Sequence, residues 1–191
     1  MRVALIHALR HSPPPVEAAF RAEWPDATLM NLLDDSLSAD LSRAGRLTPT
    51  MFERFRTLSR YAAGTGAQGI LFTCSAFGPP IEAVVALGRR IGLLATFAGS
   101  LATMPAEFPA GVEVVPCLAE GALAALDAGD FAAHDRLAAE ASRALVGRCD
   151  AILLSQFSLA RAAPMVAAAT GLPVVTTPGS AVRRLKSLLA G

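Results

Sequence analysis

Short apolar runs alternate with longer amphipathic stretches along this chain. Arg2 to His7, Ala27 to Leu33, Gly69 to Thr73, Ile91 to Phe97, Val112 to Leu118, Ala151 to Ser155 and Val174 to Thr177 are rich in Val, Ile and Leu. Runs of that length, bounded by Gly, Pro and polar residues, predict buried strands. Between them, Val16 to Trp24, Pro49 to about Ala63, Pro79 to about Leu87, Leu101 to Phe108, Glu120 to Leu126, Ala132 to Val146, Ala160 to Thr170 and Ala181 to Leu189 predict helices. Thr48-Pro49 places proline in a first turn, where its missing N–H costs nothing, and Gly64 and Gly66 stop that helix. The stretch from Ser36 to Gly45 reads as a loop. The alternation predicts an α/β fold with parallel sheets covered by helices on both faces.

In the run Gly69-Ile-Leu-Phe-Thr-Cys-Ser-Ala-Phe-Gly78, a buried strand delivers a thiol to its carboxyl end just before small residues open a helix. Ligands of parallel α/β folds sit outside the carboxyl ends of strands. Free N–H groups and the helix dipole at such a point stabilise a thiolate. Cys74 is therefore the leading catalytic candidate, weighed against the ordinary alternative of a buried structural cysteine. Other predicted strand ends carry His7, Thr96, the segment Gln156-Phe157-Ser158, and Thr176 with Thr177. Asp34-Asp35 is a weaker acid/base pair, since adjacent side chains on a strand point opposite ways. His11 and His134 read as surface residues.

Composition narrows the picture. The 191 residues are 53% hydrophobic and 17% charged, with a net charge of +1. That fits a compact core, and it gives no reason to expect nucleic acid or an anionic membrane as partner. Cys74, Cys117 and Cys149 have no paired spacing, which argues against a disulfide framework or a metal site and fits a reducing cytoplasm. Met1 to His7 is too short for a signal peptide, and no apolar run reaches membrane-spanning length.

There is an internal echo: Ile70-Leu-Phe-Thr-Cys-Ser-Ala-Phe-Gly78 can be laid over Ile152-Leu-Leu-Ser-Gln-Phe-Ser-Leu-Ala160. With Gly92-Leu-Leu-Ala-Thr-Phe97, Cys149-Asp-Ala-Ile-Leu-Leu-Ser155 and Thr170-Gly-Leu-Pro-Val-Val175, these motifs cover most of the chain. The sequence resembles the aspartate/glutamate/hydantoin racemase superfamily, which includes arylmalonate decarboxylase and maleate isomerase. The resemblance implies two similar parallel-sheet α/β domains related by a pseudo-twofold axis, with the active site in the cleft between them. On this sequence the first domain would comprise residues 1–87 plus 178–191, and the second residues 88–177. It further implies a cofactor-independent enzyme, using neither metal nor organic cofactor, acting on a small carboxylate or dicarboxylate. Self-association is left open. Cys74 would transfer the proton at the α-carbon, and Ser75, Ala76, Thr96, Gln156, Phe157, Ser158 and His7 would surround the substrate.

Two departures matter. Racemases of the superfamily use one cysteine from each half, on opposite faces of the α-carbon, whereas here the second position is Gln156. An amide does not exchange protons near neutral pH, so the expected chemistry is one-sided: racemase-like exchange with retention, isomerisation, or decarboxylation followed by protonation. A cleft that binds a carboxylate without turnover is the alternative. The second departure is one of length. Relatives usually have a further strand and helix after the first motif, but here only Ile81 to Arg90 intervene. Either the chain has lost them or a segment is missing from the sequence, and the sheet edge that a loss would expose favours the latter.

Competing chemistries lack their residues. A phosphatase loop needs arginine where Pro80 stands, a glutamine-hydrolysing triad needs a strand-end histidine in the second half, and no Gly-x-Gly-x-x-Gly follows a strand.

Overall fold

The computed structural model describes residues 1–73, 81 and 84–190. The chain divides into two compact units, Met1–Ala76 with Ala181–Gly191, and Phe77–Ser180. Each contains a parallel sheet with helices, so the chain is α/β as its alternation predicts.

In the first unit, β1 (Arg2–His7) lies between β2 (Thr28–Leu33) and β3 (Gly69–Phe72). Both pairings are parallel, with Val3 opposite Leu29 and Gly69. The central position explains the sequence: Val3 to His7 are all fully buried, as a strand with two neighbours and two covered faces requires. β2, at the edge, is only partly covered. Helix α1 (Pro13–Glu23) begins with three prolines and buries Val16 and Phe20, one turn apart, with Phe20 stacked on Trp24 at 6.0 Å between ring centroids. Helix α2 (Ser36–Ala44) occupies the stretch expected to be a loop. Its sequence is mostly polar, and only Leu37 is buried, with Leu41 one turn on packed beside it. Helix α3 (Pro49–Gly64) starts as predicted, with Thr48 Oγ1 accepting from the N–H of Met51, and sets Phe55 edge-on against Phe72 of β3.

In the second unit the order is β5-β4-β6-β7, all parallel, from β4 (Arg90–Ala95), β5 (Glu113–Leu118), β6 (Ala151–Leu154) and β7 (Val174–Thr176). Leu93, Leu94, Ile152, Leu153 and Leu154 on the two central strands are fully buried. Alternation divides them between two core clusters. Leu94, Ile152 and Leu154 pack on one face, where α6 (Phe131–Ser142) and α7 (Ala163–Thr170) contribute Ala138 and Val166. Ile91, Leu93, Ala151 and Leu153 pack on the other with Ile81, Val84 and Met104. The remaining helices here are α4 (Ala98–Thr103) and α5 (Ala122–Asp127). Pro116 is tolerated because β5 is an edge strand.

The entrance to β4 is braced by one carboxylate. Asp150 accepts from the backbone N–H groups of Arg89 and Arg90, at 3.0 and 2.9 Å, and from the Arg90 guanidinium at 2.9 Å.

Helix α8 (Thr177–Ala190) closes the chain. It starts earlier than expected: Thr177 is its first residue and not the last of a strand, and Pro178 again occupies a first turn. Near its end, Leu185 and Leu189 pack close to β3: a Cβ on Gly69 would come within 2.6 Å of Leu189 Cδ1, the far end of a side chain that can turn aside. The predicted helix after Cys74 falls largely outside the described residues. Among the described residues no helix is long and apolar enough to cross a membrane.

Candidate active site

The candidate residues described stand at the carboxyl ends of the strands in both units, and each end is built differently.

In the first unit, β1 ends on His7, which is fully buried. Its Nε2 lies 2.9 Å from Asn31 Oδ1 on β2, and its Nδ1 lies 2.9 Å from Thr73 Oγ1, just beyond β3. The amide of Asn31 in turn donates from Nδ2 to Glu17 Oε1 on α1 at 2.8 Å. A carboxylate only accepts, so Glu17 turns the Asn31 NH2 toward itself and leaves Oδ1 facing the imidazole. The hydrogen of neutral His7 therefore sits on Nε2, and Nδ1 is an acceptor for the Thr73 hydroxyl. Burial pushes the His7 pKa below 6.5, partly offset by the Asn31 hydrogen bond and the Glu17 charge. Thr73 also has the Ile6 carbonyl within reach of its hydroxyl, at 3.4 Å. A four-residue polar chain thus ends on the residue that precedes Cys74 in the sequence. Cys74, Ser75 and Ala76 themselves, and the neighbouring Phe77, lie outside the described residues.

In the second unit, Gln156 follows β6 and Thr96 follows β4. Gln156 Oε1 accepts from the Thr96 backbone N–H at 2.7 Å and from its hydroxyl at 3.0 Å. The expected strand through Phe97 therefore stops at Ala95, because the next N–H is taken by a side chain instead of the ladder. Phe157 and Ser158 are 2% exposed. The hydroxyls of Ser155, Ser158 and Thr177 are buried without a hydrogen-bond partner. Thr96, Gln156, Phe157 and Ser158 are brought to one edge of this sheet, as the strand-end argument requires.

Other sequence candidates are occupied elsewhere. Asp34 is paired with Arg54, which also binds Asp40 at 2.6 Å, and Ser36 donates to Asp34 at 2.7 Å. Burial would raise the Asp34 carboxyl, but the bonds from Arg54 and Ser36 outweigh it and hold the group below the ordinary range. That is a structural ion pair, not an acid/base dyad. His134, expected at the surface, is fully buried: it lies on the α6 face that also buries Ala138 and Ser142, each one turn on. Its Nδ1 is 2.8 Å from Asp135, which is held by Arg161 at 2.9 Å. Burial raises the thiol pKa of both Cys117 and Cys149. Sequence reasoning missed Glu17 and Asn31, whose roles depend on pairing across strands, and Ser155, a serine closing an apolar run. Among the described residues no cluster of His, Cys, Asp or Glu is placed to hold a metal ion.

No protein-family model matches the sequence, and no curated protein matches it significantly. Solved structures do match the fold. Aspartate racemase from Picrophilus torridus superposes with a TM-score of 0.75 at 10% identity, covering 99% of this chain and 94% of that one. Glutamate racemase from Francisella tularensis, in complex with D-glutamate, gives a TM-score of 0.71 at 13% identity, covering 99% and 81%. Arylmalonate decarboxylase gives 0.52 at 20% identity, covering 100% and 93%. The chain thus has the fold of these racemases and this decarboxylase.

Proposed function

We propose that the protein is a cofactor-independent enzyme that moves a proton at the α-carbon of a small carboxylate or dicarboxylate, with Cys74 as the single thiol acid/base. The neighbours sharing its fold are racemases and a decarboxylase, which supports chemistry of this class. The observation that carries the reading is the clamp between Gln156 and Thr96. An amide, held by two hydrogen bonds, stands where the resemblance places a second thiol. Proton exchange is then confined to one face of a planar intermediate.

In this mechanism the thiolate of Cys74 takes the α-proton, or the thiol returns one after loss of carbon dioxide. The electron pair spreads onto the substrate carboxylate as an enediolate. Its charge is held by Ser75, by the backbone N–H groups of residues 75 and 76, by Ser158 and by the side-chain NH2 of Gln156, which Thr96 orients by occupying Oε1. Phe157 forms an apolar wall. One such donor contributes about 3 kcal/mol to the transition state. His7, neutral and fixed by Asn31, orients Thr73 and through it the thiol segment.

The test is incubation with α-amino acids and α-substituted dicarboxylates in heavy water, read by NMR at the α-carbon. Deuterium should enter with wild type and not with Cys74→Ala. A fixed Gln156 also suits a cleft that binds without turnover, and tight dicarboxylate binding with no deuterium uptake would establish that reading instead.

A further inference from the structure

The turn that follows Gln156 has an anchor of its own. Ser158–Ala162 is a five-residue stretch of 3-10 helix, entered where the Leu159 N–H donates to the Gln156 carbonyl at 3.1 Å and the Ala160 N–H to the Phe157 carbonyl at 3.2 Å. Such tight turns have poor hydrogen-bond geometry and little stability of their own. Arg161, on this turn, is caught between two groups of α6. Its Nε lies 2.9 and 3.1 Å from the two carboxylate oxygens of Asp135, and its guanidinium carbon stands 4.5 Å from the centre of the Phe131 ring. Phe131 and Asp135 are one turn apart, so they share a helix face and Arg161 lies across both.

His134 completes the arrangement. Its Nδ1 lies 2.8 Å from Asp135 Oδ1, the oxygen that Arg161 reaches at 2.9 Å. A carboxylate only accepts, so the imidazole donates there. Its Nε2 is fully buried and, among the described residues, has no partner. Leaving a buried nitrogen unbonded is costly, and a leucine would fill the same place without that cost. What the histidine adds is therefore the Nδ1 donor, spent on a carboxylate that is only 15% exposed. Leu159 and Ala162 bury the inner side of the turn, and the ion pair holds its outer side.

We propose that His134, Asp135 and Arg161 are positioning residues for Gln156: by pinning the turn to α6 they fix where the Gln156 side chain leaves the backbone, and so hold its clamp on Thr96. Gln156 has β6 behind it and this turn ahead of it, while Thr96 is carried by β4. A shift of about 1 Å in the turn would take the 2.7 and 3.0 Å bonds of the clamp beyond hydrogen-bonding distance. The effect on turnover rests on the proposed function, in which the Gln156 NH2 holds developing charge; the effect on the clamp does not.

Hydrogen exchange of the Thr96 amide, followed by NMR on the whole protein without ligand, reads the clamp directly. In Asp135→Asn and in Arg161→Met, Thr96 should exchange about tenfold or more faster than in wild type, with the amides of Leu93 and Leu153 on the central strands unchanged. Arg161 is 39% exposed and Arg161→Met keeps the aliphatic stem, so the fold tolerates that change. His134→Leu should behave like these two, whereas His134→Asn, which keeps an N–H near the place of Nδ1, should stay close to wild type. Unchanged Thr96 exchange in Asp135→Asn and Arg161→Met overturns the proposal, since the buried Leu159 and Ala162 would then suffice. So does an acceleration shared equally by Leu93 and Leu153, the mark of general destabilisation. Wild-type exchange in His134→Leu overturns the part given to the histidine. Deuterium uptake at the substrate α-carbon, measured alongside, separates this proposal from the proposed function. The same variants should lower kcat about tenfold and leave KM within about twofold, as loss of a contact made in the transition state does. Wild type without uptake but with the expected Thr96 pattern removes the chemistry and keeps the positioning; uptake with unchanged Thr96 exchange does the reverse.

Discussion

Gln156 holds Thr96 at two points, its side-chain oxygen lying 2.7 Å from the backbone nitrogen and 3.0 Å from the hydroxyl. The pair ties the end of β6 to the end of β4 and takes the place of a ladder hydrogen bond. It also leaves Gln156 Oε1 fully used, so this side chain holds geometry and cannot carry a proton.

Gln156→Cys should convert one-sided exchange into racemisation. Wild type should take up α-deuterium with handedness retained, and the variant should lose handedness at a rate comparable to its uptake. Chiral chromatography of substrate recovered from heavy water reads both. Releasing the clamp has its own effect: Gln156→Ala should lose about 1–3 kcal/mol of stability, because the Thr96 groups are left unpaired. Uptake that retains handedness in Gln156→Cys would remove the geometric basis of the one-sided reading.

The three cysteines should separate by reactivity. Burial raises the thiol pKa of Cys117 and Cys149, and Cys149 is only 4% exposed with its Sγ 3.5 Å from the Leu145 carbonyl. Only a thiolate is an efficient nucleophile. Iodoacetamide near pH 7 should therefore alkylate Cys74 well before the other two, as read by peptide mass spectrometry, and a dicarboxylate should slow that reaction. Equal labelling of all three would count against Cys74 as an acid/base.

Much of the architecture was legible because buried central strands must be apolar throughout. Val3 to Ile6 and Ile152 to Leu154 could hardly be read otherwise, and Thr48-Pro49 marked its helix by the chemistry of a first turn. The misreadings share a cause: each depended on a partner distant in sequence. Helix α2 buries only Leu37, with Leu41 beside it, and what covers that face is Ala8, Met51 and Phe55 from elsewhere in the chain. The end of β4 was set by Gln156, sixty residues on. His134 looked polar, yet it lies on a buried helical face. Strand-end logic placed His7, Thr96, Gln156 and Ser158 at strand ends, where they stand, but Asn31 and Glu17 acquire meaning only through the pairing of β1 with β2 and the packing of α1.

Gly88 should be intolerant of substitution. A Cβ there would stand 2.3 Å from the Asp150 Cβ, in the carboxylate brace that holds Arg89 and Arg90 at the entrance to β4. The obstacle is the near end of a short side chain, so it cannot swing aside without abandoning those N–H groups. Gly88→Ala should cost about 1–3 kcal/mol, typical of overpacking, in chemical denaturation. In an Asp150→Gly background the same change should cost much less, since the Cβ it would strike and the brace are both gone.

The His7 relay should appear as a pH dependence of stability. The folded-state pKa of His7 lies below its ordinary 6.5, because burial disfavours the cation more than Asn31 and Glu17 favour it. Above pH 6.5 neither state holds the proton and His7 has no effect. As pH falls below 6.5 the unfolded chain takes up the proton first, so stability declines by up to about 1.4 kcal/mol per pH unit until the folded-state pKa is reached, and is flat from this group thereafter. Asp34 acts in a separate window: its carboxyl is depressed below 3.8, so its contribution is complete above that value and lost only in stronger acid. His7→Gln should abolish the decline just below pH 6.5 and leave the acid limb intact. Asn31→Leu should extend the decline to lower pH, because removing an acceptor that favours the imidazolium depresses the histidine further. Urea titrations at half-unit intervals from pH 8 to 3 resolve the two limbs, and a decline below pH 6.5 that survives His7→Gln would place the responsible group elsewhere.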